Sequence, residues 1–310
     1  MDYLAAWLIF LIYLAYAIPP LRRIMNGLKD RIGDWVLSFL LIPYLLAVKF
    51  QLDWLDLLRI MIYLALPTLL LRFGSKKAKV LFQVLAILAL WIPIEPSLFI
   101  LFLELITPGV PLCEQLYNLK LLPDISAPLI PGLSLPISTI TAVCLALYLF
   151  LLRHPLKGIG YTFRFEWKDL KVALLGLTFY SVIGLPLGLG LGFLHFNPQT
   201  PSFLDVVGGI LGGYLFVALI EEVLFRGVIQ NIFTNHLKNE HLAWFFASVI
   251  FGLAHLNNAT QGFPVPNWAY VFMATMAGLS YGWVWRKTHK VTASAFTHML
   301  VNLFWGLLFT

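Results

Sequence analysis

Two adjacent carboxylates and an arginine stand in "ALIEEVLFRG", residues 218–227, inside an apolar run with the length of a membrane span. A charged residue at the centre of such a helix costs about 2.5–3.5 kcal/mol on insertion scales, so something must offset it. Glu222 and Arg226 are four apart and share a helix face, where they can pair. Glu221 is turned about 100° from Glu222, so one carboxylate is neutralised and the other is left free for chemistry. "FGLAH" places Phe251 and His255 four apart in a following apolar run, and "HMLVN" places His298 and Asn302 four apart in the last one. Three helices thus each present one i,i+4 pair.

These pairs share a depth if the first two helices form a hairpin. The midpoint between Glu222 and His255 falls between Lys238 and Asn239, within the polar turn "NHLKNEH". Residues equidistant from a turn lie level in an antiparallel pair. About 16 residues at a rise of about 1.5 Å put both roughly 20–25 Å along the axis. Glu221, Glu222 and His255 are therefore expected at one membrane level.

Such a set suits hydrolysis of an amide bond by an activated water. A carboxylate and a histidine can share general-base and general-acid work, and His298 and Asn302 are donors suited to a developing oxyanion. No serine falls in a comparable constellation, nor does Cys144, and no HExxH motif occurs. No cofactor is favoured. The alternative is a Zn2+ site with an open position, its ligands drawn from Glu221, Glu222, His255 and His298. Two further classes stay open: a membrane transporter or proton-relay protein, and a catalytically silent immunity protein.

The elements that must position these residues are membrane helices. Of 310 residues, 60% are hydrophobic and 12% charged, against about 45–50% and about 25% in soluble domains. The expected fold is an all-α, polytopic transmembrane bundle of about 8–10 spans. Ten apolar runs fit: about 3–19, 35–49, 56–73, 79–94 and 136–152, then 171–195, 206–236, 241–256, 268–286 and 291–309. Residues 97–106 are too short to span and read as re-entrant or interfacial. The +6 net charge sits in short clusters between apolar runs, where it sets topology rather than binding nucleic acid. With the N-terminus outside, the clusters at Arg22, Arg23, Lys29 and Arg31 and at Arg72, Lys76, Lys77 and Lys79 lie inside. So do those around Arg153–Lys171, Arg226 with Lys238, and Arg286–Lys290. Lys49, Arg59 and Lys120 are left outside. Cys113 and Cys144 make no disulfide framework.

Three regions follow: a transmembrane region of unclear role (1–155), an interfacial connector with the sixth span (156–204), and a helical core holding the polar residues (205–310). The connector "GIGYTFRFEWKDLK" offers Tyr161, Phe163, Phe165 and Trp167 to an interfacial belt. Gly184, Gly188 and Gly192, and the pairs Gly208/Gly212 and Gly209/Gly213, repeat every four residues, a spacing that lets membrane helices approach. Pro186 is expected to kink or open its span.

"EEVLFRG", "FGLAH" and "HMLVN" resemble, in order and spacing, the EExxxR, FxxxH and HxxxN motifs of the CAAX-prenyl-protease and bacteriocin-processing (CPBP, or Abi) family. The resemblance covers roughly residues 205–305 and implies a glutamate-type or metal-dependent intramembrane endopeptidase. It implies Glu221 as the carboxylate acting with His255 on water, Glu222 as the partner of Arg226, and His298 with Asn302 as oxyanion donors. The implied partners are the lipid bilayer and a prenylated or otherwise membrane-associated protein, or a bacteriocin-like peptide. The implied location is multi-pass, in a bacterial inner or related membrane, with the site reached from the cytoplasmic side.

Overall fold

The computed structural model describes residues 2–74, 79–109 and 121–309. Cys113, Lys76, Lys77 and Lys120, named above, lie outside these residues. The chain divides into two compact units, Met1–Pro155 and Leu156–Thr310, and it is helical almost throughout.

In the first unit, α1 (Asp2–Ala15) buries Ala5, Ala6, Ile9, Phe10 and Tyr13. Pro19 and Pro20 then open α2 (Pro19–Ile32), where a missing amide proton costs nothing. A 3-10 stretch of eight residues (Gly33–Leu40) leads into α3 (Leu41–Ala47). The chain bends by 97° between α1 and the segment Pro19–Ala47. Helices α4 (Trp54–Phe73) and α5 (Lys79–Trp91) pack together, with the Tyr63 hydroxyl donating to the Leu90 carbonyl at 3.0 Å. After α5 the chain turns by 116° into α6 (Pro96–Ile106), a bend consistent with the re-entrant or interfacial expectation for 97–106. A small antiparallel hairpin follows, β1 (Ser126–Ile130) and β2 (Leu133–Pro136). Pro131 and Gly132 form its turn, the glycine at φ +83° as a type II turn demands. It leads into α7 (Ile137–Leu147), extended by a π-helical turn to Arg153.

The second unit contains α8 (Trp167–Gly190), the 35-residue α9 (Phe203–Leu237), α10 (Glu240–Leu253), α11 (Trp268–Thr288) and α12 (Val291–Leu308). Helix α11 is central and packs on α8, α10 and α12. Buried polar groups stitch it to two of them: Ser280 donates to the Gly176 carbonyl of α8 at 2.5 Å, and Trp244 of α10 donates to the Leu279 carbonyl at 2.8 Å. The last link is made by Thr297 of α12, which donates to the Ala173 carbonyl of α8 at 3.0 Å. Each of these bonds satisfies a hydroxyl or indole that lipid could not.

The polytopic all-α expectation holds, and not every one of the ten apolar runs is a single straight helix of spanning length among the described residues. Among the described residues, four helices are long and apolar enough to cross a membrane, or up to six crossings if each bent pair counts as one. The runs 3–19 and 35–49 belong to one bent pair. Helix α10 and the 137–153 segment are shorter than a span. Helix α11 is long, but it spends its surface on protein: Thr275, Gly278, Ser280 and Gly282 are buried in it.

The glycine stripes are used unevenly. A Cβ at Gly208, Gly212 or Gly192 would meet nothing within 4 Å, and at Gly209 or Gly213 only ordinary contacts of 3.7 and 3.8 Å. At Gly188 it would come within 2.6 Å of Leu194 and 3.0 Å of Met273 on α11, and at Gly184 within 2.5 Å of Tyr180 on its own helix. Close approach also occurs at Gly176, Gly252, Gly278 and Gly282. Helix α8 continues through Pro186 to Gly190. In the connector Tyr161 is buried, while Phe163, Phe165 and Trp167 stay exposed.

Candidate active site

Helix α9 is not uniform around its tandem glutamates. Leu219–Glu222 is a single α-helical turn between two π-helical stretches, Gly213–Ala218 and Val223–Gln230. Such wide turns are rare in proteins and concentrate at functional sites. Gly227 lets the second stretch pass the start of α12, where a Cβ would come within 3.2 Å of Val291 and of Ile159. Lys238, in the left-handed region at φ 52°, then ends the helix, and the Asn239 side chain caps α10 by accepting from the amides of His241 and Leu242.

This hairpin has the register expected from its sequence. The Arg226 guanidinium lies 5.0 Å over the ring of Phe251, and Phe225 meets the same ring edge-on at 5.0 Å. His255 follows one turn beyond Phe251, just past the end of α10.

Glu222 is wholly buried and fully engaged. Its Oε2 accepts from Arg226 Nε at 3.1 Å and from Ser294 Oγ at 2.5 Å, and its Oε1 lies 3.1 Å from His298 Nδ1. Arg226 is also wholly buried, yet its two terminal nitrogens have no hydrogen-bond partner. The face of Phe251 supplies part of what those nitrogens lack, through cation–π attraction.

His298 is held on three sides. Its ring stacks on Tyr281 at 4.4 Å and 14°, meets Phe251 edge-on at 5.6 Å, and turns Nε2 toward Glu221 Oε2 at 3.9 Å. The Glu221 side chain is 31% exposed, but that oxygen is buried and has no hydrogen-bond partner. His255 stacks on Tyr270 at 5.0 Å and 25°, with Nδ1 2.9 Å from the Phe251 carbonyl. A carbonyl only accepts, so His255 Nδ1 carries a proton. The ionised Glu222 likewise requires a proton on His298 Nδ1. Both rings therefore keep Nε2 for exchange with another group.

A cavity of about 30 Å³ lies among His255, His298, Asn302, Tyr270 and Tyr281, room enough for a water by the ~10–15 Å³ threshold. A second cavity, of about 330 Å³, is lined by apolar side chains including Leu177, Leu185, Phe304 and Leu308. Tyr180, Val301 and Trp305 belong to the walls of both.

The structure thus gathers Glu222, Arg226 and His298 by direct contact, brings Glu221 beside His298, and sets His255 and Asn302 on the small cavity. Ser294, Tyr270 and Tyr281 also belong here and were not singled out from the sequence. Ser294 carried a signal: it precedes His298 by four residues and so shares its face. Glu222 is committed to three donors, and among the described residues no three His, Cys, Asp or Glu side chains group to hold a metal.

Apolar spanning helices that bury a histidine, an arginine and a glutamate define an integral, multi-pass membrane protein with a polar site inside its bundle. Residues 203–304 match the Rce1-like family, described as type II CAAX prenyl endopeptidase Rce1-like. The match covers a third of the chain and takes in the three motifs that carry the resemblance to the CPBP family. A domain of this family implies CAAX-type intramembrane protease activity. No curated protein and no solved structure matches the chain.

Proposed function

We propose that the protein is a glutamate-type intramembrane endopeptidase that hydrolyses a peptide bond with a water activated by Glu221 and His255. The observation that carries this is the unequal use of two neighbouring carboxylates. Glu222 is saturated by Arg226, Ser294 and His298, while Glu221 keeps a buried oxygen without a partner.

Charge balance supports the assignment of roles. With both glutamates ionised, Arg226 charged and His298 an imidazolium, the four residues sum to zero, the state that burial in low dielectric favours. Glu221 is then a base, and the Nε2 proton of His298 is a donor. His255, with its proton on Nδ1, offers the Nε2 lone pair. A water in the small cavity passes its proton to Glu221 or His255 as its oxygen attacks the carbonyl carbon. Asn302 and His298 donate to the resulting oxyanion. Collapse breaks the C–N bond, and the proton taken from water goes to the leaving amine. The chemistry needs no metal-bound step.

The apolar cavity beside the small one supports a substrate with a bulky apolar group near the cut bond, such as a prenylated or otherwise membrane-associated protein near its C-terminus. The site would be entered from the cytoplasmic side, with the N-terminus outside.

The test compares purified wild type, Glu221→Gln and His255→Gln on fluorogenic peptides with and without a prenyl group, with and without chelator. Wild type should cleave regardless of chelator, and Glu221→Gln should lose roughly 10²–10⁴-fold, the range for general acid–base groups. Equal cleavage by wild type and Glu221→Gln would overturn the role of Glu221. Loss on chelation with recovery on zinc would overturn the metal-free mechanism. Ion uptake by wild-type proteoliposomes without any cleavage would favour a relay.

A further inference from the structure

Of the polar residues at the site, His255 has its backbone outside a helix. Helix α10 ends at Leu253, and His255 sits in the turn that follows. Helical repeat therefore does not fix its ring, as it does for Glu222 and His298. The ring is held by the Phe251 carbonyl 2.9 Å from Nδ1, by the Phe251 ring at 4.9 Å, and by the face of Tyr270 at 5.0 Å and 25°. Phe251 belongs to α10 itself, but Tyr270 stands in the first turn of α11. The stack is thus only as good as the placement of that turn against the segment leaving His255.

Asn267 makes that placement. It is 1% exposed, and its Oδ1 caps α11 by accepting from the Tyr270 amide at 2.9 Å. Its own backbone amide donates to the Leu256 carbonyl, next to His255, at 2.9 Å. Its Nδ2 lies 2.9 Å from the Asn258 carbonyl, 3.1 Å from Thr260 Oγ1 and 3.3 Å from the Phe263 carbonyl. A helix cap needs only the side-chain oxygen; the nitrogen goes entirely to the segment between His255 and α11. That segment also reaches Tyr270 through aromatic rings. Phe263 packs on Phe193 at 5.6 Å, and Phe193 meets Tyr270 edge-on at 5.5 Å.

We propose that Asn267 is the positioning residue of His255: by tying the start of α11 to the segment leaving His255, it keeps the Tyr270 ring on the imidazole and the imidazole on the small cavity. This rests on the role in hydrolysis proposed above for His255. Without the Asn267 side chain, the carbonyls it serves lose their buried donor, a cost that rearrangement of the segment relieves, and the stack opens with it. A displacement of about 1 Å in a reacting group costs roughly 10²-fold in rate. The loss falls on turnover, because Asn267 lines neither the small cavity nor the apolar one beside it.

Full-length protein in detergent gives two independent readouts: kcat and KM on the fluorogenic peptides, and the His255 ring-proton resonances, assigned by their loss in His255→Gln. In wild type the face of Tyr270 displaces those resonances upfield. Tyr270→Leu should abolish the displacement and lower kcat, and Tyr270→Phe, which keeps the ring, should restore both. Asn267→Ala should abolish the displacement and lower kcat by roughly 10–100-fold at constant KM. If Asn267→Ala does not fold, Asn267→Ser, which keeps an oxygen to cap α11 but gives up Nδ2, should show both losses in part. Unmoved resonances in the Asn267 variant, an intact kcat, or a rise in KM at constant kcat each overturn the proposal. Full activity in His255→Gln would instead overturn the hydrolytic role of His255, and the resonances alone would then decide whether Asn267 positions the ring.

Discussion

His298 Nδ1 lies 3.1 Å from Glu222 Oε1, across 76 residues of chain, and joins the last helix to the tandem-glutamate helix. A carboxylate behind an imidazole fixes the ring's tautomer and orientation and stabilises its protonated form. In the proposed mechanism Glu222 is therefore a positioning residue, and Arg226 offsets its buried charge.

Glu222→Gln should be costly because it strands a wholly buried arginine. Breaking one side of a buried pair costs about 3–5 kcal/mol, whereas replacing both partners with apolar residues is often neutral. Thermal unfolding in detergent should show a large loss for Glu222→Gln and a smaller one for Glu222→Leu/Arg226→Met. A double variant as unstable as the single one would refute this.

Ser294 holds Glu222 through a 2.5 Å bond and also lies 2.8 Å from the Tyr281 carbonyl. Ser294→Ala should lose about 1.5–3 kcal/mol, the worth of a hydrogen bond to a charged group. Its effect on catalysis should fall on kcat rather than KM, since Ser294 touches Glu222 and not the cavity. A rise in KM at constant kcat would place Ser294 on the substrate instead.

At Gly252 a Cβ would run into Thr275 Oγ1 and come within 2.5 Å of the Val271 carbonyl. Gly252→Ala must push α10 off α11, an overpacking cost of about 1–3 kcal/mol. Gly208→Ala faces open space and should be neutral or slightly stabilising. Melting temperatures of the two variants, measured side by side, check this; equal losses would contradict it.

Outside the spans, Lys290 caps the start of α12 and donates to Asp169 Oδ2 at 2.6 Å, with Glu166 Oε1 at 3.5 Å. Burial opposes its charged form, but the hydrogen bond and charge of Asp169, aided by Glu166, outweigh it and raise the pKa above the ordinary lysine value of 10.5. A raised value means stability that is fully present below about 10.5 and lost as pH rises through the folded-state value. Wild type should therefore lose thermal stability on that alkaline rise more steeply than Lys290→Met. Parallel pH curves for the two proteins would rule this out.

The i,i+4 pairs and the hairpin register were legible because they depend only on helical pitch and on distance from a polar turn. Glu222 and Arg226 pair as their spacing demands, and Arg226 meets Phe251 at the level expected for the hairpin. Crossing number was not legible in the same way. Hydropathy measures a run of apolar residues, and Pro19, Pro20, Pro93 and Pro96 turn such runs aside without making them less apolar. Glycine spacing likewise gives a face but no partner: Gly208 and Gly212 repeat correctly and meet nothing, whereas Gly278 and Gly282 sit against Phe251 and Trp244. Ser294 went unmarked because a serine on a packed helix is commonplace until its neighbour is seen to be a buried carboxylate.

The wide-turned stretches on either side of Leu219–Glu222 act as phase adjusters. Each takes more residues per revolution than an ordinary helix, so the azimuth of the glutamates is set separately from that of the two ends of the rod. Removing one residue from a stretch would leave the rod almost as long and as apolar, but would rotate Glu221 and Glu222 relative to that end. A change of phase, with almost no change of length and none of charge, is thus enough to turn the carboxylates away from His298.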